Sequence, residues 1–403
     1  MGLRDRACRL RPRASGREGM SDPAGGAVEA RDAFERHVMA RALQLAARGW
    51  GRVAPNPMVG AVLCRGREVV GEGFHEACGA EHAEVMALRA AGDLAPEATM
   101  FVNLEPCAHH GNTPPCTDAL IRAGVRAVVF SVRDPHREAG GGAESLRRAG
   151  IEVREGVLAE AARRLNAPFL WRQLAGAPFV GLKLAVSLDS RLSATAGEPT
   201  RVTGEESLQY VQWLRAGYDA VLVGSGTARA DDPLLTVRDG AAVGRPPLRV
   251  VVDTELGLDR GSRLVQSLDR APLLVACGED APSDRAEALR RLGIEVLAVP
   301  RGEGGGVDLG AVLRGLGARG IGSVLVEGGG LVASALLRGR LVQRLHLIIA
   351  PGFLGDGGTP AFPGLTAQAG GDWSVTDRVA LEEDTCLQLE SEDMLRRLSG
   401  ETV

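Results

Sequence analysis

Two stretches of the sequence alternate short apolar runs with amphipathic segments, and this alternation restricts the fold more than any other feature. In the first stretch, residues 32–154, apolar runs of strand length are separated by segments whose apolar residues recur every three or four positions. A second stretch of the same kind begins at Phe179. Because strands that alternate with helices pack as α/β sheets, we predict two α/β domains in this 403-residue chain.

The pattern predicts particular elements and boundaries. In the first domain we expect helices over 32–48, 81–91, 117–123 and 144–149, and strands over 59–64, 68–73, 99–104, 125–132 and 151–154. In the second we expect strands over 179–185, 220–224, 248–253, 273–276, 323–326 and 345–350, with helices over 205–216 and 331–338. The expected organisation is therefore a disordered extension (1–30), a first domain (31–155), a linker with a connecting helix (156–177) and a second domain (178–403).

Composition disfavours several classes of protein. A net charge of −4 and an aromatic content of 3% give neither a basic surface nor stacking platforms, so we expect no nucleic-acid partner. No run of 18 apolar residues occurs, so we expect no membrane span. The seven cysteines are scattered, which indicates reduced thiols in the cytoplasm and not a disulfide framework.

The first 30 residues are rich in Arg, Gly and Ala and lack the apolar segment of a secretory signal. Six arginines and one acidic residue among the first 17 residues are compatible with a transit peptide. The favoured interpretation is a disordered extension, or a start codon placed upstream of a true start at Met20.

Three side chains of the metal-binding type stand where such a fold can bring them together. His82 begins a predicted helix, Cys107 follows a predicted strand, and Cys116 precedes the next helix. Zinc prefers these donors, and with three protein ligands it keeps a position for a water molecule whose pKa falls to about 7. Glu84 stands two residues after His82, where a carboxylate can move protons between that water and a substrate.

Each of these residues alone has an ordinary explanation, such as a surface histidine or a buried cysteine. Their order and their places at strand ends and helix starts together favour a catalytic zinc site. A structural zinc site would need a fourth ligand, which His109 or His110 could supply, but the neighbouring Glu84 favours catalysis.

The motifs around these residues resemble those of the bacterial riboflavin-biosynthesis deaminases. The matching strings are Pro55-Asn56-Pro57-x-Val59-Gly60, Gly73-Phe74-His75, His82-Ala83-Glu84 and the whole of 104–116. General nucleoside deaminases carry their two cysteines as C-x-x-C, whereas here eight residues that include His-His-Gly separate Cys107 from Cys116.

This resemblance implies a cytidine-deaminase-like α/β/α domain that acts on a diaminohydroxy-phosphoribosylamino-pyrimidine. It implies that Glu84 is catalytic, that zinc is held by His82, Cys107 and Cys116, and that Asn56, His75 and His109 line the substrate pocket. Asn112 stands where the family usually has Lys or Arg, a residue that would suit the substrate phosphate.

Three segments of the second stretch resemble the reductase domain of the same family, which has a dihydrofolate-reductase-like α/β fold. They are L-K-L-A-V-S-L-D-S-R at 182–191, the string at 224–238 that contains A-D-D-P, and V-L-V-E-G-G-G-L at 324–331. In the last segment a glycine-rich turn between a strand and a helix can bind a pyrophosphate. The resemblance implies NADPH as the cofactor and a homodimer formed through the reductase domains.

The resemblance also implies the residues of this second site. Along the cofactor it places Ala185, Arg201, Thr227, Asp231, Thr254, Gly329, Gly330, Leu331, Val332, Ala333, Ser334 and Ala335. Along the substrate it places Lys183, Pro199, Arg215, Leu235, Arg238 and Glu327. Three residues depart from the family pattern. Ser190 replaces a usual Gly, and Arg201 stands where an aromatic residue or Lys is common. Pro199 replaces a usual Ser or Thr, whose hydrogen bond the neighbouring Thr200 could make instead.

The sequence therefore predicts a bifunctional enzyme that deaminates a phosphoribosyl pyrimidine and then reduces its ribose to a ribityl chain. One alternative is a nucleoside or tRNA deaminase fused to an unrelated α/β domain, which the His-His-Gly spacer and the A-D-D-P string disfavour. Another alternative is a non-catalytic paralogue with a regulatory role that binds a nucleotide. The intact zinc ligands and Glu84 disfavour this alternative. The substitutions in the second half leave open a working deaminase with a slow reductase.

Overall fold

The computed structural model of the chain describes residues 23–109, 114–136, 140–238 and 244–400. The chain divides into two compact units, Met1–Leu174 and Ala175–Val403. Each unit is a sheet with helices, which confirms the predicted α/β class. Residues 1–22 of the expected extension and residues 110–113 of the expected loop lie outside the described residues.

The first unit is a five-stranded sheet in the order β2-β1-β3-β4-β5. Its strands are β1 (Gly60–Arg65), β2 (Glu68–Phe74), β3 (Thr99–Leu104), β4 (Ala127–Val132) and β5 (Glu152–Glu155). Its helices are α1 (Pro23–Ala46), α2 (Ala83–Ala91), α3 (Cys116–Arg122), α4 (Gly142–Arg148), α5 (Ala159–Leu165) and α6 (Ala167–Ala175), the last of which reaches the boundary between the units. Strand β1 is antiparallel to β2 and β3, whereas β3, β4 and β5 are parallel.

Both faces of this sheet are covered, as an α/β/α domain requires. Alternate residues of the central strands, such as Met100 and Val102, pack against α2, α3 and α4. The residues between them, such as Phe101, pack against α1 on the opposite face. Successive residues of a strand point to opposite faces of the sheet. Because both faces are covered by helices, the strands appear as continuous apolar runs in the sequence.

Two glycines of β2 bring α2 close to the sheet. A Cβ atom placed on Gly73 would lie 2.4 Å from the carbonyl oxygen of Ala83, and one on Gly71 would lie 2.2 Å from that of Ala87. Only glycine allows this approach, and it holds the first turn of α2, which carries Glu84, against the sheet.

Two expectations for the first unit differ from the structure. Helix α1 begins at Pro23 and not near residue 32, and proline suits the first helical position because the N–H that it lacks would have no partner there. The segment 156–177, expected as a linker with one helix, forms α5 and α6, and Ala162, Ala167 and Leu170 are buried.

The second unit is a nine-stranded sheet in the order β10-β9-β8-β7-β11-β6-β12-β14-β13. Its strands are β6 (Phe179–Val186), β7 (Ala220–Gly224), β8 (Leu248–Val252), β9 (Leu273–Gly278), β10 (Glu295–Val299), β11 (Ser323–Glu327), β12 (Arg344–Ile349), β13 (Trp373–Leu381) and β14 (Asp384–Ser391). Its helices are α7 (Glu205–Ala216), α8 (Ser225–Asp231), α9 (Arg263–Gln266), α10 (Ser283–Arg291), α11 (Leu309–Gly317), α12 (Gly330–Arg338) and α13 (Glu392–Ser399). From β10 to β12 the neighbouring strands are parallel, and β14 and β13 close that side as antiparallel strands.

The sequence pattern missed several elements of the second unit. Helix α8 starts immediately after β7, in a segment with two glycines for which no helix was predicted. Strand β13 is half-exposed at the edge of the sheet, so it lacks the continuous apolar run of a central strand. Among the described residues, no helix combines the length and the apolar character that a membrane crossing requires.

Candidate active sites

The three predicted zinc ligands lie together in the first unit. Nδ1 of His82 is 3.1 Å from Sγ of Cys116 and 3.6 Å from Sγ of Cys107, and the three donor atoms lie within 4.8 Å of one another. A tetrahedral zinc ion at about 2.3 Å from sulfur and about 2.0 Å from nitrogen separates these donors by about 3.6 Å. The donor set therefore fits zinc in both chemistry and spacing.

The two cysteines of this cluster are coupled to each other. A hydrogen bond from the Cys116 thiol, assisted by His82, holds the pKa of Cys107 well below its ordinary value despite burial. The backbone N–H of Cys116 also donates to Sγ of Cys107, at 3.4 Å. A thiolate at Cys107 is the form that binds a metal ion.

Glu84 lies beside the cluster, in the first turn of α2. Its side chain is buried, and this burial, together with the charge of Cys107, raises the pKa of the carboxyl group. A carboxyl group with a raised pKa next to a metal site is suited to hold and release a proton.

Asn56 and His75 form a hydrogen-bonded pair next to the ligands. Nδ1 of His75 lies 3.1 Å from the carbonyl oxygen of Glu81, so it carries the proton and donates to that oxygen. Nε2 of His75 then accepts from Nδ2 of Asn56 at 3.2 Å. Burial lowers the pKa of His75 to about 4, with His82 as a second cause, so the ring is neutral at pH 7. Among the described residues, no donor is bonded to the carboxamide oxygen of Asn56, which leaves it available to a ligand.

Two asparagines that the sequence patterns did not single out hold the loop that carries Asn56. Oδ1 of Asn166 accepts from the backbone N–H of Met58 at 2.8 Å, and its Nδ2 donates to the Met58 carbonyl oxygen at 2.9 Å. Asn103 donates to the same carbonyl and accepts from the N–H of Gly60. All four of these hydrogen bonds are buried, and they fix the backbone at Met58 and Gly60, just after Asn56.

His109, the third predicted pocket residue, lies against a second histidine. Its ring stacks on that of His136 with 6.4 Å between the ring centroids and 26° between the planes. No sequence motif points to His136. Asn112 and His110 lie outside the described residues.

In the second unit, Lys183, Arg215, Arg238 and Glu327 come together. Arg215 donates two hydrogen bonds to the Glu327 carboxylate, and its third nitrogen donates to the carbonyl oxygen of Thr236 at 3.1 Å. Burial opposes ionisation of Glu327, but Arg215, with Lys183 and Arg238, holds the pKa of this carboxyl below its ordinary value. Burial lowers the pKa of Lys183, and the Glu327 carboxylate opposes that change.

The sheet itself places Lys183 in this cluster. Lys183 on β6 is in register with Glu327 on β11 and with His346 on β12, so the three side chains leave the same face of the sheet. Glu327 is the last residue of β11, so it lies at the carboxyl end of a parallel strand, where α/β sheets bind their ligands, whereas Lys183 and His346 lie within β6 and β12.

The glycine-rich turn after β11 has the conformation that the sequence predicts. Gly328 and Gly329 have φ angles of 79° and 81°, and α12 begins at the next residue. A Cβ atom on Gly329 would lie 3.2 Å from Oγ1 of Thr227, so this turn faces another predicted cofactor residue. Leu331 is 77% exposed, whereas Ala333 and Ser334 are fully buried.

Two protein-family models match the chain, one in each unit. The model of the cytidine and deoxycytidylate deaminase zinc-binding region matches residues 33–132, and the model of the RibD C-terminal domain matches residues 178–392. The riboflavin biosynthesis protein RibD of Aquifex aeolicus is 42% identical over 265 residues, which are 66% of this chain and 73% of that protein. The chain belongs to the RibD family.

Other RibD proteins support this assignment. RibD of Escherichia coli is 46% identical over 244 residues, 58% of this chain and 66% of that protein. A solved structure from Thermotoga maritima, a diaminohydroxyphosphoribosylaminopyrimidine deaminase/5-amino-6-(5-phosphoribosylamino)uracil reductase, is 34% identical with a TM-score of 0.78. The match covers 90% of this chain and 99% of that one. The predicted combination of a zinc deaminase and a reductase of riboflavin biosynthesis is confirmed.

The remaining predicted residues of the RibD reductase site differ in their surroundings. Pro199 and Arg201 are exposed, and Arg201 forms a surface ion pair with Glu205. Oγ1 of Thr200, the proposed substitute for the residue at Pro199, accepts from the N–H of Ala194 at 3.0 Å. Ala185, Thr227 and Thr254 are half-buried, Leu235 is buried, Arg238 is exposed, and Asp231 ends α8. Their contacts with ligands stay predictions.

Ser190 shows why the RibD family usually has glycine at its position. Its φ angle is 58°, in the left-handed region that favours glycine. Its N–H donates to the carbonyl oxygen of Ser187, which closes the turn. The substitution therefore keeps the turn but places a side chain in a strained backbone conformation.

Proposed function

We propose that the first unit deaminates 2,5-diamino-6-(5-phosphoribosylamino)pyrimidin-4-one by hydrolysis. We further propose that the second unit reduces the ribosyl group of the product to a ribityl chain with NADPH. The observation that carries this proposal is the convergence of His82, Cys107 and Cys116 with the buried Glu84, in a chain of the RibD family. The name of the Thermotoga maritima relative states both activities for that protein.

In the deaminase, His82, Cys107 and Cys116 would hold zinc, which would supply an activated water for attack on the amino-bearing ring carbon. Glu84 takes a proton and returns it to the leaving amine, a role that its raised pKa supports. Asn56 binds a polar edge of the substrate through its free carboxamide oxygen. Neutral His75 holds Asn56 in that orientation, and His109 forms another wall of the pocket.

In the reductase, bound NADPH would supply the hydride for C1′ of the ribosyl group. Lys183, Arg215 and Arg238 outnumber the carboxylates Glu327 and Asp231, so the site has an excess of positive charge that suits the substrate phosphate. Glu327 orients Arg215 through two hydrogen bonds. The turn at Gly329 and the start of α12 receive the cofactor pyrophosphate.

The proposal includes a small-molecule substrate, a cytoplasmic location and a homodimer, without a nucleic-acid or membrane partner. The net charge of −4 supports the absence of a nucleic-acid surface. The six cysteines within the described residues are free thiols, which suits a reducing compartment. The homodimer is what the family resemblance implies.

The test is an assay of the zinc-loaded protein with the diaminopyrimidine ribosyl phosphate, with and without NADPH, that follows ammonia and NADPH separately. We expect ammonia in both conditions and NADPH oxidation only after ammonia appears. Absence of ammonia would contradict the proposal and favour a nucleoside or tRNA deaminase. Ammonia without NADPH oxidation would contradict the reductase half and direct attention to Ser190 and Pro199.

Glu84→Gln is the matched variant for this assay, because glutamine keeps the shape of the side chain but cannot shuttle a proton. We expect it to bind zinc and release no ammonia, while still oxidising NADPH when the deaminated product is supplied. Ammonia release by this variant would show that the proton passes through another group.

A further inference from the structure

Glu105 is a buried carboxylate that the proposed mechanism does not use. It follows β3, two residues before the ligand Cys107, and is 4% exposed. Oε1 accepts from the backbone N–H of Ala143 at 2.9 Å, and Oε2 accepts from that of Asp134 at 3.1 Å. Within the described parts of the chain, no basic side chain forms an ion pair with Glu105, so backbone N–H groups are its partners.

These two bonds join the end of β3 to two other segments. Asp134 lies in the segment after β4, and Ala143 lies in the first turn of α4. A Cβ atom placed on Gly142 would lie 1.9 Å from the carbonyl oxygen of Pro106, so the start of α4 packs directly on the turn that carries Cys107. Glu105 therefore fixes the two ends of the connection between β4 and α4 against the metal-binding turn.

The same connection carries His136. Oδ1 of Asp134 accepts from the N–H of His136 at 2.9 Å, and the carbonyl oxygen of His136 accepts from the N–H of Gly140 at 2.9 Å. The His136 ring stacks on the His109 ring. In the described parts of the chain, neither Nδ1 atom forms a hydrogen bond, so no bond through Nδ1 competes with the stacked contact between the rings.

We propose that Glu105 is a positioning residue of the deaminase: it holds the segment of Asp134 and His136 so that the His136 ring supports His109 in the substrate pocket. This inference rests on the proposed function, in which His109 contacts the pyrimidine substrate. His136 acts through His109 and defines the shape of the pocket.

The metal ligand itself is held by other bonds. The N–H of Thr117 donates to the carbonyl oxygen of Cys107 at 3.2 Å, and the N–H of Cys116 donates to Sγ of Cys107. Loss of the Glu105 contacts should therefore weaken substrate binding and leave zinc binding intact. A glutamine at position 105 would present an amide donor to one of the two backbone donors and lose that bond.

The experiment uses the full-length, zinc-loaded protein and measures zinc content, kcat and KM for deamination, and the reductase rate. For Glu105→Gln and His136→Ala we expect KM for the diaminopyrimidine ribosyl phosphate to rise about three- to tenfold, as for one lost contact. We expect zinc at one ion per chain, kcat within about twofold and an unchanged reductase rate. His136→Phe keeps a flat ring and should keep KM near the wild-type value.

Glu144→Gln is the matched control, since Glu144 is an exposed acidic residue on α4 that pairs with Arg133 at the surface. We expect it to change none of these quantities. The proposal is overturned if Glu105→Gln loses zinc, if kcat falls while KM is unchanged, or if KM does not respond.

Should Glu105→Gln fail to fold, the two His136 variants decide the question. Equal effects of His136→Ala and His136→Phe on KM would overturn the role of the stacked ring, and rescue by Phe would support it. Failure of the proposed function is distinguishable, because the wild-type protein would then release no ammonia from this substrate.

Discussion

Arg215 and Glu327 form a bidentate ion pair in the interior of the second unit, with Nε to Oε1 at 2.5 Å and Nη2 to Oε2 at 2.8 Å. Each side chain is 9% exposed. Lys183 and Arg238 act on the same carboxylate. Glu327 is thus the counter-ion that allows several cations to face one pocket.

Glu327→Gln should therefore impair both stability and reduction. It leaves Arg215 buried without its charge partner, and breaking a buried pair in this way costs about 3–5 kcal/mol. We expect a fall of about 3 kcal/mol in the free energy of unfolding, measured in urea, and a reductase kcat/KM lower by at least about 100-fold. Deamination should be unchanged.

The control for this prediction is Glu287→Gln, which removes the partner of Arg291 in an exposed pair on α10. Exposed pairs contribute at most about 1 kcal/mol, so this variant should resemble the wild type. A Glu327→Gln protein as stable as the control would show that Arg215 finds another partner.

Cys116→Ala should abolish zinc binding and deamination while the reductase keeps its rate. The variant removes one of three donors, and two donors hold zinc far more weakly than three. Removal of zinc with a chelator should have the same effect, and added zinc should reverse it in the wild type only. Cys78→Ser is the control, because Cys78 is exposed and lies outside the cluster. Full deaminase activity of metal-free protein would contradict this prediction.

Asn166→Ala should raise KM for deamination. It leaves the buried N–H of Met58 without its acceptor and the Met58 carbonyl with Asn103 as its remaining side-chain donor, at a cost of about 1–3 kcal/mol, and it loosens the loop that carries Asn56. Asn166→Asp keeps the acceptor and loses the donor, so its KM should lie between those of the wild type and Asn166→Ala. Steady-state kinetics of ammonia release measures this order, and a different order would argue against the loop as the affected element.

Protonation of His346 should make the second unit less stable in mild acid. Burial, with Arg344 as a second cause, lowers the pKa of this histidine from 6.5 to about 3, and its Nδ1 lies 3.4 Å from the Tyr210 hydroxyl. Below pH 6.5 the unfolded chain binds a proton that the folded chain does not. The free energy of unfolding should therefore fall as the pH decreases from 6.5, by up to about 1.4 kcal/mol per pH unit from this group.

His346→Phe removes that titration, so about one proton fewer is taken up when the variant unfolds. The free energy of unfolding of the variant should therefore depend less on pH between 4.5 and 6.5. Tyr210→Phe is the matched control, since it loses the hydrogen bond and keeps the histidine. Urea unfolding followed at several pH values measures both slopes. Equal slopes for His346→Phe and the wild type would mean that other groups dominate the acid response.

The sequence predicted the elements whose burial is regular along the chain. Strands β3 and β7 and helix α7 have the predicted bounds, because both faces of a central strand, or one face of a long helix, are apolar. Helix α8 and the antiparallel strands β13 and β14 were missed, since a glycine-containing segment and partly exposed strands carry weak local patterns.

The sequence by itself determined the chemistry of this protein: the zinc donors His82, Cys107 and Cys116, the neighbouring Glu84, and the glycine-rich turn before α12. These residues stand in short motifs, so their spacing along the chain already restricts their spacing in three dimensions. Only the tertiary structure decided which buried polar groups satisfy one another, as when Asn166 binds Met58 across 108 residues and Glu105 binds Ala143 across 38. Such pairs depend on where the packed elements meet, because a buried donor or acceptor needs a partner that is close in space, whatever its place in the chain.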